Sequence, residues 1–239
     1  MPAKEKIILA LDVADGAYAV DIVDRFRDHV NIFKVGLELF VSAGPRVVEE
    51  IHSRGKKVFL DLKFHDIPTT VSKAALAAVR LGVYMFNIHT TGGVDMMKRC
   101  KDSVVDFCLR ENVKRPKILG VTVLTGLTQE ALKNELGIQH SLKTHVKQLS
   151  KLAHEAGLDG VVASGHEAGS IRSHFGKEFL IVVPGIRTSW SPPDDQRRTV
   201  TPREALREGA DYIVLGRAVL NQPDPLRALD LITTEILTA

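Results

Sequence analysis

Cysteine is scarce in the 239 residues: Cys100 and Cys108 are the only two, and they fall within one predicted helix. Their spacing puts them roughly two helical turns apart, out of disulfide reach of each other. A disulfide scaffold is thereby excluded, and two free thiols fit a reducing cytoplasm. Long apolar runs are also missing. The N-terminal "MPAKEKIILALDVADG" reaches Asp12 after only a few apolar residues, too short for a signal-peptide core, and no other stretch could span a membrane. Charge of one sign is not in excess: 32 Lys and Arg stand against 29 Asp and Glu, for a formal net charge of +3. A nucleic-acid binder would concentrate its cations in a stripe, whereas these are scattered; a phosphorylated small molecule fits at least as well. No linker, repeat or low-complexity tract interrupts the chain, so residues 1–239 read as one domain. The nine histidines show no metal-ligand spacing with supporting carboxylates, and no metal is expected.

What is present is alternation. Short apolar or β-branched runs recur at 7–11, 32–35, 58–62, 85–88, 118–124, 160–163, 179–183 and 212–215. Most are followed by Gly, Thr, Ser, Asp or His and then by helical periodicity. In "HVKQLSKLAHEAGLDG", Val146, Leu149, Leu152, Ala153 and Ala156 share one face and Gly157 ends the helix. Strand and helix in alternation imply parallel pairing through right-handed crossovers. Eight units in about 240 residues indicate an α/β (β/α)8 TIM barrel, with a doubly wound open sheet as the alternative. Two connections are long, Thr125 to about His140 and Gly185 to Pro202. Both follow strands, so both belong to the C-terminal face, as lids or binding loops.

Charges cluster at the strand ends. In "DLKFHDIPTT", alternation puts Asp61 and Lys63 on one face and Leu60 and Leu62 on the other, with the leucines outward beneath the helices. Asp66 follows in the loop before Pro68 and a helix capped by Thr69 or Thr70. The run "NIFKVG" makes Lys34 a second inward cation, and "ALDV" offers Asp12. Each could be an ordinary ion pair, but four charges of alternating sign on one face suggest a shared cavity. Neighbouring carboxylates favour a charged ammonium against desolvation, which suits a proton donor better than a Schiff-base nucleophile.

The last third points to a phosphate. "VVPGIR" ends the seventh strand with Gly185 and Arg187, and "IVLGRAVL" ends the eighth with Gly216 and Arg217 opening a helix. Backbone N–H groups at a helix start and an arginine clamp suit an anion, and barrels often bind phosphate after these strands. His65 reads as a hydrogen-bonding loop residue, Ser164 as structural, and "HTTGG" as a helix-start turn.

The ordered set "ALDV", "FKVG", "DLKFHDIPTT", "VLT", "PGIR", "DQRR" and "LGRA" resembles the bacterial orotidine 5′-phosphate decarboxylases over essentially the whole chain. The resemblance implies a homodimeric barrel, without cofactor or metal, that converts orotidine 5′-phosphate to UMP. It assigns Lys63 as the acid for C6, Asp61 beside the departing carboxylate, and Lys34 to the ribose hydroxyls and the charge network. Asp66, with Ile67 and Thr70, would reach the neighbouring subunit's site. Asp12 matches a ribose ligand and Thr125 a residue near the pyrimidine. Gln196 matches a bridge from the phosphate loop to the pyrimidine, and Arg187, Gly216 and Arg217 match the phosphate contacts. The rivals are Mg2+-dependent sugar-phosphate decarboxylases or aldolases on the same scaffold, which carry an acidic residue where this chain has Lys34, and a non-catalytic phosphate-ligand sensor.

Overall fold

Eight short runs rich in Val, Ile and Leu cannot each bury both faces alone, and closing them into a cylinder beneath a ring of helices solves that. In the computed structural model, which describes residues 3–188, 190 and 198–237, the strands are β1 (Ile7–Leu11), β2 (Ile32–Gly36), β3 (Lys57–Phe64), β4 (Met85–His89), β5 (Lys117–Val121), β6 (Gly160–Val162), β7 (Leu180–Val183) and β8 (Tyr212–Leu215). They pair in parallel in sequence order, and β1 closes on β8 with Ile7 opposite Ile213. Closure removes the open sheet from consideration.

The alternation sorts the core into two layers. Ile7, Leu9, Leu11, Phe33, Val35 and Leu60 pack outward against the helices. Ile8, Ala10, Ile32, Phe59, Met85, Leu119, Val182, Tyr212 and Val214 fill the barrel interior. At the bottom of that inner plug the Tyr84 and Tyr212 hydroxyls satisfy each other at 3.1 Å. Above it the inward positions turn polar: Lys34, Asp61 and Asn87 continue the same faces.

Three local expectations need correction. Regular alternation through β3 fails beyond Leu60: Leu60 pairs with Phe86 and Phe64 with Ile88, so four steps of β3 advance against two of β4. Lys63 absorbs the surplus with φ 52°, a left-handed conformation that non-glycine residues rarely adopt. The next helix, Pro68–Arg80, is not capped by Thr69 or Thr70. Ile67 is its N-cap and Pro68 its first residue, because proline's fixed φ and missing N–H suit that position. The fifth strand ends at Val121 rather than Leu124; Thr122 donates through its N–H and Oγ1 to the Val162 carbonyl, and the chain then leaves the ladder. The Thr125–His140 connection contains one short helix, Gln129–Asn134, whose N-cap Thr128 accepts from the Ala131 N–H.

Both cysteines are buried in the helix Gly93–Glu111, and burial pushes the Cys100 thiol up to about 12. Ser164 caps the helix Gly165–Phe175, and Thr90–Gly92 forms a single 3-10 turn before Gly93, so both roles are structural as expected. Among the described residues no helix is long and apolar enough to cross a membrane.

Candidate active site

The C-terminal ends of β1, β2 and β3 bring the alternating charges together. Lys34 Nζ donates to Asp12 Oδ1 at 2.8 Å and lies 3.5 Å from Asp61 Oδ2. Lys63 Nζ donates to Asp61 Oδ1 at 2.7 Å. The order Asp12–Lys34–Asp61–Lys63 is therefore a continuous chain of opposite charges. Two glycines make room for it: a Cβ at Gly36 would sit 3.1 Å from Lys34 Nζ, and one at Gly216 would sit 3.3 Å from Asp12 Oδ2.

Burial decides how these groups titrate. Burial pulls the Lys34 ammonium towards neutrality, but the charges of Asp61 and Asp12 and their hydrogen bonds outweigh it, and its pKa is raised. For Asp61, burial favours the neutral acid, yet Lys34, Lys63 and the hydrogen bonds from Lys63 and Asn87 hold its carboxyl below the usual range. A proton-bearing cation is thus fixed against a permanent anion in a poorly solvated place.

Asn87 was not singled out by its sequence context, although an amide at an inward position of the apolar run "MFNIH" is a usable signal. It is fully buried. Its Nδ2 donates to Asp61 Oδ1 at 2.7 Å, and its Oδ1 accepts from the Lys63 backbone N–H at 2.9 Å. One side chain thereby orients the carboxylate and stabilises the left-handed turn that presents the lysine.

A cavity of about 220 Å³ opens above the inner plug. Its floor is Ala10, Phe59, Val162 and Val214, shared with the barrel core. Asp12, Lys34, Asp61 and Lys63 line it together with Val123–Thr125, Gly185–Arg187, Gly216 and Arg217. Gly185 has φ 75°, which glycine alone adopts readily. Gly216 is the N-cap of the short helix Arg217–Leu220. Of the expected site residues, Asp12, Lys34, Asp61, Lys63, Thr125, Arg187, Gly216 and Arg217 all line this one cavity.

Asp66, Ile67 and Thr70 do not. They are exposed beyond the rim, where Asp66 Oδ1 accepts from the Ile67 N–H at 2.6 Å and Ile67 is 67% exposed. Gln196 lies outside the described residues. His65 and His89 stack with ring centroids 5.1 Å apart, and burial together with His65 and Lys63 lowers the His89 pKa. Among the described residues, no group of three or more His, Cys, Asp or Glu could hold a metal ion.

Known proteins are similar to this chain over nearly its whole length. Residues 5–232 match the family model described as the Orotidine 5′-phosphate decarboxylase / HUMPS family. The chain is 50% identical to orotidine 5′-phosphate decarboxylase of Moorella thermoacetica, covering 99% of this chain and 94% of that one. It is 48% identical to the enzyme of that name from Trichlorobacter lovleyi, covering 98% and 96%. The crystal structure of orotidine 5′-phosphate decarboxylase from Lactobacillus acidophilus superposes with a TM-score of 0.83 at 33% identity, over 97% of this chain and 99% of that one.

Proposed function

The chain belongs to the orotidine 5′-phosphate decarboxylase / HUMPS family, and from that premise we infer that it converts orotidine 5′-phosphate to UMP and CO2 in pyrimidine biosynthesis. The observation that supports the residue assignment is the Asp12–Lys34–Asp61–Lys63 chain lining one small cavity together with Arg187 and Arg217.

Loss of CO2 from C6 leaves an electron pair in the plane of the pyrimidine ring, where no adjacent π-system accepts it directly. The Lys63 ammonium lies beside that developing charge, held by Asp61 at 2.7 Å, so it stabilises the pair without reorganising solvent. It then transfers its proton to C6, forming the C–H bond of UMP. Asp61, kept ionised by two lysines, fixes the ammonium and sits beside the substrate carboxylate. Lys34 and Asp12 take the ribose hydroxyls, Thr125 borders the pyrimidine, and Arg187, Gly216 and Arg217 hold the phosphate, joined by Gln196. Binding energy gathered at the phosphate is expressed at the reacting carbon because both ends are anchored on one rigid barrel.

Asp66, Ile67 and Thr70 complete the site of a second subunit in a homodimer; their exposure outside their own chain's cavity supports that reading. The enzyme works in the cytoplasm, without cofactor. The Mg2+-dependent rival is disfavoured by Lys34, whose charge repels a cation where that reaction needs one, and by the orotidine 5′-phosphate named as substrate for both relatives.

The test is the absorbance loss of orotidine 5′-phosphate with EDTA present, for wild type and Lys63→Ala. Metal-independent decay with wild type alone is expected, with UMP binding retained by the variant. Turnover by Lys63→Ala would reject Lys63 as the acid, and an inactive, folded wild type would return the chain to the metal-dependent reading.

A further inference from the structure

Behind the cavity, outside its lining, lies a second buried ion pair. Arg198 Nη1 donates to Glu167 Oε1 at 2.7 Å, with side chains only 13% and 7% exposed. Arg198 Nη2 donates to the Val123 carbonyl at 3.3 Å. The guanidinium therefore spans two acceptors on different elements: the helix Gly165–Phe175 and the segment just past β5.

The pairing is not the one that best satisfies the two charges. Among the described residues, Arg198 Nε and Glu167 Oε2 are both buried without a partner, although one is a donor and the other an acceptor. A bidentate pairing through Nε would use both. The guanidinium instead directs Nη2 to a backbone carbonyl. Burial also outweighs the attraction of Arg198 and raises the Glu167 pKa, so the pair is poorly compensated as a source of stability.

Its position explains what it does. Val123 begins the cavity wall that continues to Leu124 and Thr125. Two residues beyond Arg198, the Val200 carbonyl accepts from the Arg187 N–H at 2.9 Å, and the Val200 N–H donates to the Gly185 carbonyl at 3.3 Å. The same stretch is pressed against Gly165, where a Cβ would come within 2.3 Å of Val200 Cγ2. Val123 is thus tied to the guanidinium itself, and Gly185–Arg187 to the backbone two residues beyond it.

We propose that Arg198, seated on Glu167, is a positioning residue that holds the Val123–Thr125 wall and the Gly185–Arg187 wall at the separation the nucleotide requires. This rests on the reading of the cavity as the orotidine 5′-phosphate site. The clamp touches neither Lys63 nor Asp61, so it governs binding more than the chemical step. Lysine cannot replace it, because a single ammonium lacks the planar fork that reaches both acceptors.

The test compares wild type, Arg198→Lys, and the double variant Arg198→Met with Glu167→Leu, which fills the buried volume with apolar atoms and leaves no orphaned charge. Thermal midpoint, kcat and KM for orotidine 5′-phosphate, and Kd for UMP are measured on each. The double variant is expected to keep the wild-type midpoint or exceed it, while KM and Kd rise together by about tenfold and kcat stays within about threefold. Arg198→Lys is expected to show the same rise. KM and Kd within twofold of wild type in the folded double variant overturn the proposal, as does full recovery by Arg198→Lys, which would reduce the pair to a buried charge. A wild type that neither binds UMP nor turns over substrate overturns the reading of the cavity and this proposal with it. An active wild type with an unmoved double variant overturns the clamp alone.

Discussion

Replacing Lys63 by alanine and by glycine separates two things that this residue does. Both variants lose the ammonium and its 2.7 Å contact with Asp61, so that loss cancels between them. Both keep the backbone N–H that donates to Asn87 Oδ1. What differs is the cost of holding φ at 52°. For a residue with a Cβ, the left-handed region costs roughly 1–2 kcal/mol, and glycine avoids it. Glycine also gains freedom in the unfolded chain, which offsets about 0.4–1 kcal/mol of that advantage. Lys63→Gly should therefore be the more stable variant, by about 0.5–1 kcal/mol. In a domain of this size that is about 1–4 °C in Tm. Calorimetry and urea denaturation on the two proteins side by side measure it, and neither should turn over substrate. At most sites the order is reversed, since glycine usually weakens regular structure. An alanine variant as stable as the glycine variant, or more so, would show that the backbone there is not held against its preference. Lys63 would then not sit on stored strain.

Two further predictions concern charge. Asp61→Asn breaks a buried pair and leaves Lys34 facing Asp12 alone, at a cost of about 3–5 kcal/mol near neutral pH. Because the folded Asp61 pKa is depressed, its contribution is present above the unfolded value of about 3.9 and is lost as pH falls through the lower folded value. Because the folded Lys34 pKa is raised, its contribution is present below about 10.4 and is lost as pH rises through the higher folded value. Denaturation midpoints measured across pH should show the gap between wild type and Asp61→Asn narrowing at the acid end; a constant gap would contradict the network. Arg217→Ala should lose about 100-fold in kcat/KM on orotidine 5′-phosphate and little on the unphosphorylated nucleoside. Equal losses on both substrates would end the case for a phosphate held at Arg217.

The barrel was legible because each strand carries its own period and each inward charge falls on it. Asp12, Lys34 and Asp61 extend the faces of Ala10, Ile32 and Phe59, so alternation alone predicted that they would meet. Lys63 reached the right place by a route that alternation does not describe. The extra residues of β3 appear only when β4 is laid beside it, and pairing register is a property of two strands. Asn87 and Glu167 escaped notice for a related reason. A single amide or carboxylate in an apolar stretch looks like a lapse in the pattern until its partner arrives from elsewhere in the chain. The role proposed for Asp66, Ile67 and Thr70 rests on likeness to a family alone, since they lie outside the cavity of their own chain.

The floor of the cavity has a consequence for how this protein can change. Ala10, Phe59, Val162 and Val214 belong to the barrel core and line the cavity at once. A mutation there that reshapes the pocket also disturbs the inner plug, so new specificity and a lower melting point arrive together. Leu124 and Thr125 stand on the rim, with Leu124 already 43% exposed, and can vary without that penalty. A laboratory library confined to the rim would retain folded members and shift ligand preference gradually. One confined to the floor would be depleted by unfolding before selection for a new substrate began. Such a barrel diversifies from its loops inward and is slowest to change beneath the ligand.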